Sequence, residues 1–119
     1  MNDNHTKSVI GLFQAYNGLK ETFRTERNFR IHSIVALAVI AAGFALHLPL
    51  IKWAFISLLI GLVLTAELFN TAVEKMLDYL RPNIHPQAKV IKDIAAGAVL
   101  ISAIAAAVAG IIIFLPELG

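Results

Sequence analysis

Three long apolar runs, separated by short polar segments, set the plan of this chain. Between Lys7 and Arg30 the pattern is amphipathic: Val9, Leu12, Phe13, Tyr16, Leu19, Phe23 and Phe29 recur at helical spacing, while Lys20, Glu21, Arg24, Glu26 and Arg27 fill other faces. That stretch is too polar to cross a bilayer and predicts a helix lying at the interface over about residues 7–30. Gly11 and Gly18 weaken it, and residues 1–6 are expected to lack ordered structure. Ile31 to Leu48 is the first predicted span, and His47-Leu48-Pro49 its exit through a tight turn. The second runs from Trp53 to Leu80, with Trp53 at an interface, His32 and His47 near the ends of the first, and a proline-interrupted loop over Arg81 to Pro86 after it. The third runs from Lys89 to Leu115 and is rich in Ala and Gly, as membrane helices are where they pack closely.

Composition agrees with that plan. Of 119 residues, 58% are hydrophobic, and the mean hydropathy is +0.74. A soluble domain of this size could not hide so much apolar surface. The expectation is an all-α integral membrane protein of three transmembrane helices plus an amphipathic surface helix, with residues 1–119 forming one membrane-embedded domain. There is no cysteine, which excludes disulfides, thiolate metal sites and cysteine nucleophiles. The first 30 residues hold no apolar core long enough for a cleavable leader.

The net charge of +2 says little, but its placement sets the topology, and nothing in it points to a nucleic-acid partner. Nine of the 10 Lys and Arg residues flank the side shared by the N-terminus and the second loop; only Lys52 lies opposite. The N-terminus is therefore expected in the cytoplasm of a bacterial plasma membrane. Seven of the eight acidic residues belong to that same side, Glu117 being the exception.

The second span carries acids where lipid should be. Glu67, Asn70, Glu74 and Asp78 fall on one narrow helical face. Trp53 to Ala66 is about 14 residues, or ~21 Å of helix. Glu67 thus lies about two-thirds of the way through a ~30 Å hydrocarbon core. An ionisable group at that depth is a functional candidate by default. Glu26, Glu74, Asp78, Lys92 and Asp93 are expected at a similar, cytoplasmic level.

Carboxylates without His or Cys partners suit a hard cation such as magnesium, which keeps coordination sites for phosphate oxygens. Lys92 is a point charge suited to a phosphate, and Arg24, Arg27 and Arg30 can hold further phosphates or anionic headgroups. Glu67 is placed to accept the proton of a hydroxyl arriving from the lipid side, with Asn70 one turn away to orient it. The reaction class these groups fit is phosphoryl transfer. No Gly-x-x-x-x-Gly-Lys loop and no dinucleotide glycine fingerprint is present. A lipid phosphatase and a small cation channel or scaffold, with the acidic stripe as pore lining or polar helix contact, fit the same residues. Asp78 fits a solvated helix end equally well, and Lys92-Asp93 an interfacial anchor.

The run Glu67-Leu-Phe-Asn70-Thr-Ala-Val-Glu74, then Asp78, His85 and Ala88-Lys-Val-Ile-Lys92-Asp93-Ile-Ala-Ala-Gly-Ala-Val-Leu100, resembles the prokaryotic diacylglycerol kinase family. The likeness runs from about Gly18 to the end of the third span, and Arg24-Thr-Glu-Arg-Asn-Phe-Arg30 is closer to its Gram-positive, undecaprenol kinase branch. Thr71 stands where some members have Ser. The resemblance implies a homotrimer with active sites shared between subunits, using ATP and Mg²⁺ to phosphorylate a membrane lipid alcohol, undecaprenol in preference to diacylglycerol. It makes Glu67 the catalytic base acting on the lipid, with Asn70 beside it. Glu26 and Glu74 become magnesium ligands that also contact ATP, and Gln14, His85, Lys92 and Asp93 line the ATP site, with Lys7 at a further ATP-contacting position.

Overall fold

The computed structural model describes residues 3–80 and 85–119, with side chains from Gly11 onward. Residues 81–84 of the expected loop, and the Lys7 side chain, lie outside the described parts. Four helices follow in order: α1 (Asp3–Thr25), α2 (Arg27–Ala45), α3 (Leu50–Leu80) and α4 (Pro86–Leu118). The last three are long and apolar enough to cross a membrane. Together they make a slab of 53 × 47 × 21 Å in which α3 packs on both α2 and α4. So thin a bundle leaves most large apolar side chains of the spans exposed, as lipid-facing positions are. Leu12, Phe13, Tyr16 and Phe23 of α1 are exposed too, the face an interfacial helix turns to lipid.

The surface helix does not run to Arg30. It stops at Thr25, and Glu26 alone is extended, at φ −109° and ψ 112°. The reason is a side chain on the far side of the break. Arg30 Nη1 donates to the carbonyls of Phe23 (3.1 Å) and Arg24 (2.9 Å), supplying donors to the carbonyls that end α1. The first span therefore begins at Arg27, and ordered helix already starts at Asp3.

At the other end of α2 the turn is a Schellman motif. The N–H of Leu48 donates to the carbonyl of Gly43 (3.1 Å) and that of His47 to Phe44 (3.2 Å), with His47 left-handed at φ 54°. Leu48 is buried, and Pro49 follows. A side chain at position 43 would meet the Trp53 ring at 2.7 Å, so Gly43 permits the indole to lie across α2, where it packs on Phe44 with centroids 4.7 Å apart. The span α3 consequently starts at Leu50 rather than Trp53.

The third span starts at Pro86 instead of Lys89. Pro86 opens α4, where its fixed φ is favourable, and His85 caps it by accepting from Gln87 N–H at 3.1 Å. The helix continues to Leu118. Its small residues do not all pack within one chain: positions Gly97 and Gly110 have no neighbour within 4 Å of a hypothetical Cβ. Near this end Lys52 Nζ donates to the Ile113 carbonyl (2.7 Å) and to Glu117 (2.8 Å), tying α3 to α4.

Candidate functional site

Halfway along α3 the helix turns polar residues toward its neighbours. Glu67 and Thr71, one turn apart, are both buried, Glu67 to 3% exposure. The Glu67 Oε1 lies 3.2 Å from His32 Nε2 of α2. One turn on, Asn70 Nδ2 donates to Glu74 Oε1 at 3.2 Å. Among the described residues the buried Asn70 Oδ1 has no partner, which a polar atom in a finished core rarely lacks.

A small pocket of about 310 Å³ opens over these groups, between Asn28 and His32 of α2, Glu67 and Asn70 of α3, and the Ala96–Ala103 stretch of α4. Beside it runs an apolar groove of about 590 Å³ between α2, α3 and α4, from Leu64 and Ala103 toward Phe114 and Leu118. His32 and Ala103 line both, and His32 is the groove's sole polar wall residue among those described. The groove meets the pocket at the His32 and Ala103 end.

Only part of the predicted constellation gathers here. Glu67 and Asn70 line the pocket and Glu74 is bonded to Asn70, while Glu26 stands at the break before α2 and does not line the pocket. Asp78 leaves the stripe: its Oδ1 accepts from Lys92 Nζ at 2.6 Å, so the two fix the end of α3 to the start of α4. Asp93 is exposed and paired with Lys89 at 2.7 Å, an i,i+4 pair on the helix surface. His85 serves as the α4 cap, and Gln14 is exposed on α1. Neither lines the pocket. On α1, the Arg24 guanidinium bound to Glu21 holds that carboxyl below its ordinary value, and the pair is solvent-exposed.

His32 is the residue the sequence did not single out. Its signal was present: it is an ionisable ring inside the first span, and Glu67 needed a partner from another helix. Asn28, one turn before it, was likewise unmarked.

The donors beside the pocket include oxygen atoms of the kind Mg²⁺ takes. Among the described residues no three His, Asp or Glu side chains converge on one point. Mg²⁺ commonly takes one or two carboxylates and fills the remainder with phosphate oxygens and water. The carboxylates of Glu74 and Glu26 and the unpartnered Asn70 Oδ1 are hard oxygen donors of that kind.

Fold and pocket together define a three-span membrane protein with an acidic pocket at one end of an apolar groove. Residues 13–114 match the prokaryotic diacylglycerol kinase family. The chain is 47% identical over 118 residues to the undecaprenol kinase of Bacillus subtilis (strain 168), covering 96% of each protein. It is 46% identical over 111 residues to the diacylglycerol kinase of Synechocystis sp., covering 92% of this chain and 63% of that protein. With the diacylglycerol kinase of Helicobacter pylori (strain J99) it shares 36% identity over 93 residues, covering 78% of this chain and 73% of that one. The chain belongs to the prokaryotic diacylglycerol kinase family, a family of membrane lipid kinases.

Proposed function

We propose that this protein phosphorylates undecaprenol to undecaprenyl phosphate, with ATP as donor and Mg²⁺ required. The observation that carries this reading is the buried Glu67 in a polar pocket that shares His32 with an apolar groove. The extent of the likeness to the Bacillus undecaprenol kinase supports the choice of lipid.

In this reading the lipid tail occupies the groove and its hydroxyl meets the Glu67 carboxylate. Glu67 takes the hydroxyl proton as that oxygen forms a bond to the γ-phosphorus of ATP. The bond between the γ-phosphorus and the bridging oxygen breaks, and ADP leaves with the electron pair. Asn70 orients Glu74 through its amide N–H. Glu26, Glu74 and the Asn70 Oδ1 would hold Mg²⁺, which when bound offsets phosphate charge. Lys92, poised by Asp78, supplies a positive charge to the phosphates, and Gln14, His85 and Asp93 extend the ATP site. The last three stand outside the pocket of one chain, which favours sites completed by a second copy in a homotrimer. The whole chain acts as one unit in the bacterial plasma membrane, with its N-terminus and acidic layer toward the cytoplasm, where ATP is.

Diacylglycerol is the second reading, favoured by the 46% identity to the Synechocystis enzyme. Phosphorylation of the two lipids in parallel micelles separates them, and a clear preference for diacylglycerol would replace the first reading.

A further inference from the structure

The His32–Glu67 contact joins two helices where the polar pocket and the apolar groove share the His32 side of their common wall. Glu67 is nearly sealed, with 4% of its side chain exposed, and among the described residues its ion-pair contact is to His32 of α2 and not to its own helix. A carboxylate so placed can rotate about its side-chain torsions unless something fixes it. The nearest group able to do so is the His32 ring at 3.2 Å. The ring retains 27% exposure because it faces the cavities and not the helix packing. The backbone of α2 sets its place: the Glu26 break and the Arg30 contacts to the end of α1 fix where α2 begins, five residues before His32.

We propose that His32 is a positioning residue for this kinase: its Nε2 holds the Glu67 carboxyl in the pocket beside the groove, where the lipid hydroxyl arrives. The inference rests on the reading of Glu67 as the proton acceptor. His32 itself takes no proton from the substrate and makes no bond to phosphate. Its contribution is geometric, so its loss should appear in turnover and not in nucleotide affinity. An amide nitrogen at similar reach should replace it.

The test is steady-state kinetics of the full-length protein in mixed micelles with undecaprenol and MgATP, for His32→Leu, His32→Gln, Glu67→Gln and the double variant His32→Leu/Glu67→Gln. Misplacing a reacting group can cost about 100-fold, so His32→Leu should lower kcat by about 10- to 100-fold with the KM for ATP unchanged. His32→Gln should recover kcat to within about threefold of wild type, since its amide N–H can meet the carboxylate. In the Glu67→Gln background, His32→Leu should cost less than about twofold more, because residues acting as one unit are not additive. Wild-type kcat in His32→Leu, a fully additive double variant, or a Gln variant as poor as Leu would each overturn the proposal. Wild-type turnover in Glu67→Gln would instead overturn the assignment of the base, and the proposal with it. If His32→Leu fails to fold, His32→Asn is compared with His32→Gln: it keeps the amide one methylene shorter. A poor Asn variant beside an active Gln variant supports the role, and equal activities overturn it.

Discussion

Asn70 gives its amide N–H to Glu74, one helical turn away, and keeps a buried carbonyl oxygen that has no partner among the described residues. The side chain is thus oriented by an acid while presenting a second hard donor next to it. If these oxygens hold magnesium, Glu74→Gln should raise the Mg²⁺ concentration for half-maximal activity by at least about tenfold, since even outer partners of a metal are worth 10–100-fold in affinity. Asn70→Ala should move it the same way by less. A magnesium titration of each variant checks this, and unchanged midpoints would move the metal elsewhere.

Glu67→Gln keeps size and polarity but removes the group that accepts the proton. Turnover should fall by roughly 10²–10⁴-fold, the range of a positioned acid–base group, with ATP binding close to wild type. Rates at saturating lipid, alongside equilibrium ATP binding, measure both.

Lys92 and Asp78 meet at 2.6 Å near the surface, with 37% and 67% of their side chains exposed. A pair this exposed contributes about 0–1 kcal/mol to stability, so both single variants should fold. Lys92→Met should nevertheless lower kcat/KM for ATP by about 10- to 100-fold, the value of one charge-assisted contact to phosphate. Asp78→Asn leaves the ammonium in place and should cost much less. Equal losses would mean that the pair serves only to join α3 to α4.

His47 occupies a left-handed conformation that costs a side chain about 1–2 kcal/mol. His47→Gly should therefore stabilise the α2–α3 turn by about 1 kcal/mol, and His47→Val should destabilise it, with activity little changed by the first. Thermal unfolding in detergent reads both directions.

The spans were legible because a charge-free apolar run of helical length finds its solvent in a bilayer. The stripe of Glu67, Asn70 and Glu74 was legible because a helical period puts them together whatever surrounds them. Asp78 has the same period but a different fate, because Lys92 draws it toward α4, and that approach is a matter of helix packing. The stop at Thr25 has its cause beyond the break, in Arg30 folding back over the end of α1, which local spacing does not display. Pro86 looked like an obstacle to the third helix and is its first residue, with His85 supplying the cap. The His32 partner of Glu67 depends on two helices meeting, so the ring could be seen in the sequence but its task could not.

Lipid-dependent ATP turnover tests the central claim most directly. Purified protein in detergent micelles would be given ATP with undecaprenol, diacylglycerol or no lipid, each with and without Mg²⁺. ADP formation should need both a lipid alcohol and magnesium, and should be fastest with undecaprenol. No lipid-stimulated turnover in any of these mixtures would contradict it, and the acidic pocket would then have to serve something other than phosphoryl transfer.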